Sequence, residues 1–600
     1  MMLPQYLKAL EMEQRLGDPE RADNLLSFAQ ALQLDEEDAF PEAQVSALNA
    51  MGMPNCYVPR ALGGEFTDCE GFVALGRVLA RRNMSVAVAY STMLWSTLSW
   101  LGGNDRQKRE VADWIMHNAS FPCLAYSESE HGADLVSNRL TATRNSDGSY
   151  TLRGEKWPIN RAIRSDFLVL LARTDERNNL RNHSLFIIKK DQLDSRRYYY
   201  LPRVKTHGLK GCDISGIGFR DCVVPAGCLV GEVGHGLELA LKGFQITRTF
   251  CTSLSLGVGD TALRLVADYA SRRTLYGTAI SNLPHTRDVL ANSYLSLLMA
   301  ECVSIVSARG LHICPQVYSS WSSIAKVQVC HLIDYANAQL ASVLGARFYM
   351  RDQQGVGVFQ KFFRDGAVVS IFDGSSHVCL DSLASLLESL VRPGEQAEAS
   401  RCMELLFDLR TPLPALDHGR VTLFSREGDP LIGQLPHLLQ RLEGLPADQH
   451  TPPPLLQRLQ EAGRTFLAQA MQLKEQISSK SGPRGARNSA HRFALAERYC
   501  AVYSVAACLG VWLYSRDVLT AEHRGGHWLL AVLERGLQSH FHAGGLCAER
   551  VEQLYEAMTA QRCGSQMFSL LAWPLAAQGL AESVDETMDQ EEMDNANSAA

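Results

Sequence analysis

The sequence predicts a mainly α-helical protein with a small β domain set between helical parts. Three observations carry this. Apolar residues recur at helical spacing through the first part of the chain, to about residue 120. Short apolar or alternating runs crowd residues 121–230. Helical periodicity then returns at Gly236 and dominates to about Leu390. A second helical block after about residue 450 extends the pattern.

In order, Pro41 to Ala50 and Phe72 to Arg81 place apolar residues on one helical face, and the Pro/Gly loop Pro59 to Gly64 separates them. Leu140 to Arg144 alternates, Asn145-Ser146-Asp147-Gly148-Ser149 is a turn, and Tyr150 to Trp157 is extended. Phe167 to Ala172, Leu185 to Ile188, Ile214 to Phe219 and Val223 to Pro225 complete a region of closely spaced strands. Gly236 to Phe244, Thr261 to Arg272 and Ala325 to Leu344 are the clearest helices of the next part. Pro393, Pro412, Pro414 and Pro452 to Pro454 punctuate a less regular connection. Leu455 to Ile477, Ala490 to Ser515 and His527 to Leu537 are helical again, interrupted by the Gly/Ser/Arg-rich Ser478 to Asn488. The expected division is 1–120 helical, 121–230 β, 231–395 helical bundle, 396–450 linker, 451–580 helical, and an acidic tail at 581–600 with too few apolar residues to fold.

The 600 residues exceed one hydrophobic core. A net charge of −7 argues against a nucleic-acid binder, which carries a basic face. The sixteen cysteines form no CxxC pair and no zinc-ligand spacing, so buried reduced thiols are expected and no metal site. His523, His527, His540 and His542 fall close together but read as exposed or capping residues. Met1 to Glu20 lacks the apolar core of a signal peptide, which makes the cytoplasm the expected location.

No Rossmann or P-loop glycine fingerprint and no GxSxG or HExxH motif is present. Four segments stand out instead: Ala125 to Asp134, Gly154 to Asn160, Arg272 to Gly277, and Arg364-Asp365 followed by Asp373-Gly374-Ser375-Ser376. Singly, each has a plain explanation as a cap, a turn or a solvated charge. Together and in this order they resemble the acyl-CoA dehydrogenase family over about residues 40 to 390. Pro59 to Gly64, Phe219 to Pro225, Gly231 to Gly236 and Arg248 extend the match.

The resemblance implies a helical domain, a β-barrel-like domain and a four-helix bundle. It also implies FAD, an acyl-CoA or acyl-carrier-protein substrate, and electron-transfer flavoprotein or another electron acceptor, within fatty acid or polyketide metabolism. By resemblance, Tyr126, Ser127, Pro158, Ile159 and Asn160 line the flavin. Arg273 reaches its diphosphate across a subunit interface. Ser342 and Gly345 cradle the diphosphate, and Ser375 and His377 face the adenosine side. Ala133, Gln245, Arg248, Phe372 and Gly374 fall to the substrate. Asp373 takes the place of the base that removes the α proton.

Several positions depart from the family pattern. Pro158 replaces an aromatic that stacks on the flavin, and Asn160 a threonine that donates to flavin N5. The run Ser342-Val343-Leu344-Gly345-Ala346 stands where the family often has glutamine and two adjacent glycines, and Ala133 replaces a serine. The base is usually glutamate, and the alternative base position, around Gln245, Ile246 and Thr247, holds no acid. Aspartate is shorter by roughly 1.5 Å, and a misplacement of about 1 Å can cost about 100-fold in rate.

Residues 400 to 575 lie beyond the usual family length. Helical extensions of this kind occur in long-chain, dimeric members, which implies a homodimer. The modest charge of Ser478 to Asn488 argues against stable membrane anchoring. Two other readings stand beside dehydrogenation: a flavin oxidase or monooxygenase, and a non-catalytic acyl-thioester-binding scaffold. Bound FAD, bleaching by an acyl thioester without oxygen, and peroxide formation in air separate the three.

Overall fold

The computed structural model describes the chain except residues 1, 177–178, 352–355, 393–395, 425–427, 480–489, 538–544 and 577–600. The tail expected at 581–600, most of the Ser478 to Asn488 break, and His540 and His542 lie outside the described residues.

The first 120 residues are helical, as their periodicity predicts. The helices Cys69–Ala80 and Met84–Ser91 are capped by Asp68 and Asn83, whose side chains accept backbone N–H groups of the first turn. Helix Asp105–Asn118 opens on a capping box formed by Asn104 and Gln107. These helices cover one side of the β domain and one side of the bundle.

The β domain has eight strands: β1 Pro122–Ala125, β2 Thr141–Arg144, β3 Tyr150–Asn160, β4 Phe167–Arg173, β5 His183–Lys189, β6 Tyr198–Leu201, β7 Ile214–Val224 and β8 Leu229–Val230. They pair in the order β6-β7-β3-β2-β4-β5-β8, with β1 parallel to β4. β4 and β5 are buried nearly throughout, which is why they read as continuous apolar runs. The two runs expected at Ile214 to Phe219 and Val223 to Pro225 are one strand. Asp221, in the left-handed region at φ 55°, accommodates a register shift against β3. A second shift falls at Trp157 and Pro158, where proline has no N–H for the ladder.

The bundle consists of helices Gly236–Arg272, Pro284–Ile313, Tyr318–Leu344 and Ser376–Leu390, with the shorter Val356–Gly366 beside them. The runs read separately at Gly236 to Phe244 and Thr261 to Arg272 belong to one 37-residue helix.

The expected linker at 396–450 is corrected by the structure. It holds helices Gln396–Phe407, Pro430–Gly433 and Leu435–Glu443, and buries Met403, Leu406, Phe407, Leu435, Leu438 and Leu442. Pro430 and Pro436 stand in the first turns of two of these helices, whereas Pro412 and Pro414 lie in the irregular stretch after Phe407. Helix Ala490–Ser515, apolar and buried nearly all round from Tyr499 to Leu513, packs against Pro284–Ile313 and Ser376–Leu390. Phe407 lies over Gly510, where a Cβ would stand 2.3 Å from its ring. Helices Pro284–Ile313 and Ala490–Val518 are long and apolar enough to cross a membrane, and both are largely buried within the protein.

A buried ionic network ties the parts together. Glu301 accepts from Arg77 Nη1 at 2.6 Å, from the Ser569 hydroxyl at 2.6 Å and from the Leu570 N–H at 2.7 Å. Asp260 accepts from the Phe568 N–H at 2.8 Å and from Arg81 Nε at 3.3 Å, and Arg81 also binds Glu13 at 2.9 Å. N-terminal helices, bundle and the chain's last described segment therefore share one core.

Candidate active site

Between the β domain and the bundle lies a cavity of about 610 Å³ with mostly apolar walls. Tyr126, Ser127, Pro158, Ile159 and Asn160 form its β-domain wall, and Phe372, Asp373, Gly374 and Ser375 face them from the bundle. Segments more than 200 residues apart in sequence thus meet at one site, with Gly132 and Ala133 at its edge.

The β-domain wall is rigidly held. The Glu128 carboxylate accepts from Lys156 Nζ at 2.9 Å and from the N–H groups of Arg139 and Leu140 at 2.7 and 2.9 Å. Lys156 Nζ also donates to the Tyr126 carbonyl at 3.0 Å, which accepts from Asn138 as well, at 2.6 Å. Burial would raise the Glu128 carboxyl, but Lys156 and the two backbone donors hold it below the usual glutamate range. Burial pushes the Lys156 ammonium down to about 8, with Glu128 opposing, so both groups are ions at neutral pH. The roles of Glu128 and Lys156 are to pin the Tyr126–Ser127 turn onto β3.

The opposite wall is a tight turn. Asp373 and Gly374 both adopt left-handed backbone, at φ 54° and 90°. Aspartate tolerates this region better than most residues, and glycine is at home there. Arg248 closes the turn from below, donating through Nε to the Asp373 carbonyl at 3.0 Å and through Nη1 to the Ser323 hydroxyl at 3.3 Å. A Cβ at Gly374 would stand 2.6 Å from Arg248 Nη2. Ser375 then caps helix Ser376–Leu390, accepting from the Val378 N–H at 3.3 Å.

The Asp373 side chain lies on the cavity wall, with the Cys251 thiol donating to Oδ2 at 3.6 Å. Burial pushes its carboxyl above the ordinary aspartate range. Lys326, hydrogen bonds from Thr247 and Cys251, and Arg248 oppose that rise. The result is a carboxylate of heightened basicity in an apolar chamber, suited to accept a proton from a weakly acidic carbon.

Other expected site residues lie elsewhere. Gln245 is buried but turned away, its amide donating to the Thr422 carbonyl at 2.9 Å. Arg248 supports the Asp373–Gly374 turn from beneath the cavity lining. His377, Ser342 and Gly345 are exposed, and Arg273 is half-buried at the end of helix Gly236–Arg272. Arg273, Ser342 and Gly345 share a neighbourhood: Arg347, just past Gly345, lies over the Tyr269 ring at 5.6 Å. Around them Tyr276 and Tyr349 are 94% and 85% exposed. The sequence reading left out Cys251 and Lys326. The one available signal was a lysine set in the apolar run Ile324-Ala325-Lys326-Val327.

The cavity wall suits a flat ring with polar edges. The Tyr126 hydroxyl and Asn160 Oδ1 are buried and find no hydrogen-bond partner within the protein. An unpaired buried polar atom costs about 1–3 kcal/mol, so a bound group with matching polar atoms would be favoured there. The Asn160 amide N–H is taken up by the Val88 carbonyl at 3.3 Å, which leaves its oxygen for the cavity. An isoalloxazine ring has the required shape and edge chemistry.

The fold and this site define a class: flavin-type oxidoreductases built from a helical domain, a β domain and a helical bundle. Three domain models of that class match the chain in order: acyl-CoA dehydrogenase N-terminal domain at residues 24–116, middle domain at 123–222 and C-terminal domain at 234–387. The human mitochondrial short-chain specific acyl-CoA dehydrogenase is 25% identical over 366 residues, covering 58% of this chain and 84% of that protein. A probable acyl-CoA dehydrogenase of Mycobacterium leprae is 24% identical over 349 residues, covering 58% and 88%. Among solved structures, butyryl-CoA dehydrogenase from Megasphaera elsdenii superposes with a TM-score of 0.58 at 20% identity, covering 63% of this chain and 97% of that one. A prolyl acyl carrier protein oxidase shares the fold with a TM-score of 0.55 at 18% identity, covering 62% and 95%.

The chain belongs to the acyl-CoA dehydrogenase family. It is an FAD-dependent oxidoreductase of the class that acts on CH–CH bonds of acyl thioesters. The helical region after residue 387 lies outside the matched domains.

Proposed function

We propose that the protein introduces an α,β-double bond into an acyl thioester, with Asp373 as the base that takes the α proton. The observation that carries this is the Asp373 carboxylate on the wall of an apolar cavity, facing the pinned Tyr126–Ser127 turn and the Pro158–Asn160 segment. When bound, FAD supplies the acceptor for the β hydride. Tyr126, Ser127, Ile159 and Asn160 would hold its ring, and Arg273 of the partner subunit its diphosphate. The apolar lining excludes water from the acyl chain and keeps the Asp373 carboxylate poorly solvated, which raises its basicity. Arg248 fixes the turn that aims it. The acyl carrier is coenzyme A or the pantetheine arm of a carrier protein, and electrons leave to electron-transfer flavoprotein or another acceptor in the cytoplasm.

We further infer a homodimer in which Arg273, Ser342 and Gly345 serve the partner's FAD. All three lie off the cavity of their own chain, amid the exposed Tyr276 and Tyr349.

Anaerobic mixing with a panel of acyl-CoA and acyl-carrier-protein thioesters tests the reading. The expected result is flavin bleaching with an enoyl product, slowed by about 10²–10⁴-fold in Asp373→Asn. Unchanged bleaching in that variant would remove Asp373 as the base. Rapid peroxide formation in air would assign an oxidase instead.

A further inference from the structure

Lys326 is a buried cation that the proposed chemistry leaves unused. It lies within helix Tyr318–Leu344, is fully buried, and its Nζ has no hydrogen-bond partner in the protein. An ammonium removed from water is costly unless an anion stands nearby. Nζ rests 4.5 Å from the ring centroid of Phe372, the residue that precedes Asp373 and lines the cavity beside it.

The groups facing Lys326 come from four elements. Its own helix contributes Cys330 and, one turn further, Asp334. Helix Gly236–Arg272 contributes Cys251, helix Ser376–Leu390 contributes Cys379, and the base turn contributes Asp373. Burial pushes the Cys251 thiol well up and that of Cys330 to about 11, so both are neutral at physiological pH. Burial also pushes the Asp334 carboxyl up to about 7. Asp373, on the cavity wall, is the carboxylate this ammonium meets on the side of the site. From its own side, Asp373 faces Lys326, Arg248, Thr247 and Cys251. The Arg248 guanidinium is committed to the Asp373 backbone carbonyl and to Ser323. Lys326 has no such commitment.

We propose that Lys326 is a positioning residue for Asp373: its uncommitted ammonium, seated on the ring of Phe372, keeps the Asp373 carboxylate ionised in the apolar cavity and ready to take the α proton. This rests on the reading of Asp373 as the base. The cation–π contact anchors the ammonium beside the carboxylate without consuming a carboxylate lone pair. Those lone pairs stay available for the substrate proton.

The test is the pH profile of kcat/KM for the FAD-loaded enzyme, with the acyl thioester that bleaches the wild-type flavin. The base works ionised, so the rate falls as pH drops through the Asp373 pKa. Lys326→Met and Lys326→Gln remove the opposing charge. Their acid limb is expected to move to higher pH by about one unit or more. Lys326→Arg keeps the charge and is expected to restore the limb toward its wild-type position. Infrared difference spectra give a second readout, independent of turnover. The Asp373 carboxylic-acid C=O band, assigned by its loss in Asp373→Asn, should persist to higher pH in the neutral variants. An unmoved limb and an unmoved band in a folded, flavin-replete Lys326→Met or Lys326→Gln protein would overturn the proposal.

If neither neutral variant folds, the reciprocal measurement decides. The ¹⁵N-lysine signal of Lys326 should titrate at lower pH in Asp373→Asn than in wild type, and an unchanged titration would overturn the proposal. The two readings fail separately. Full activity in Asp373→Asn sinks the base assignment, whereas an inactive Asp373→Asn beside an unmoved Lys326→Met profile sinks only the role of Lys326.

Discussion

Asp373 illustrates how backbone and chemistry constrain a single position. Its left-handed φ of 54° suits aspartate, and the next residue, at φ 90°, requires glycine. Gly374→Ala is expected to lose about 1–3 kcal/mol of stability, because the new methyl meets strained backbone and the Arg248 guanidinium together. Thermal unfolding measures the loss, and slowed flavin bleaching should accompany it as the base turn shifts. Asp373→Glu retains an acid in an open cavity and should keep far more bleaching activity than Asp373→Asn. Sequence order pointed to Asp373, and the structure puts it on the cavity wall. Sequence order did not reveal that Arg248 supports the turn, because a helix arginine looks the same whether it faces substrate or a carbonyl. For Lys326 the sequence offered only a lysine in an apolar run, because its neighbours come from helices and a turn far away in the chain.

At the scale of elements, the decisive contact is the Glu128–Lys156 pair between the Tyr126–Ser127 turn and β3. Glu128→Ala leaves a buried ammonium without its anion, and a loss of about 3–5 kcal/mol is expected, read by denaturant unfolding. The sign with pH follows from the lowered Glu128 carboxyl. Its contribution is present above the ordinary glutamate range and is lost as pH falls through the folded value. The wild type should therefore lose stability on acidification more steeply than Glu128→Ala. The run Tyr150 to Trp157 was legible as extended, and the structure makes it the larger part of β3. β1, β6 and β8 escaped notice because they are too short to show a period. The helices within 396–450 were hidden by prolines that mark loops and helix starts alike.

For the whole molecule, the region beyond the matched domains is part of the fold rather than an appendage. Helix Ala490–Ser515 covers Pro284–Ile313, and the segment Phe568 to Leu570 satisfies Asp260 and Glu301. A chain ended after Val391 would expose that apolar helix face and strand two buried carboxylates. It is expected to aggregate or to purify without flavin, as judged by size-exclusion chromatography and absorbance. The full chain should sediment as a dimer. Arg273→Ala should then weaken FAD retention by about tenfold or more, while thermal unfolding of the protein itself changes little.

By itself the sequence determined the order of helical, β and helical parts and the family, and it pointed to Asp373 as the proposed base. These reside in local periodicity and in short motifs whose order survives without any contact being known. Only the tertiary structure decided that the described residues between 396 and 576 close the same core as the bundle, that Glu128 and Lys156 hold the β-domain wall of the cavity, and that a buried Lys326 stands near Asp373. Burial and charge pairing are properties of distance in space, and spacing along the chain carries no record of them.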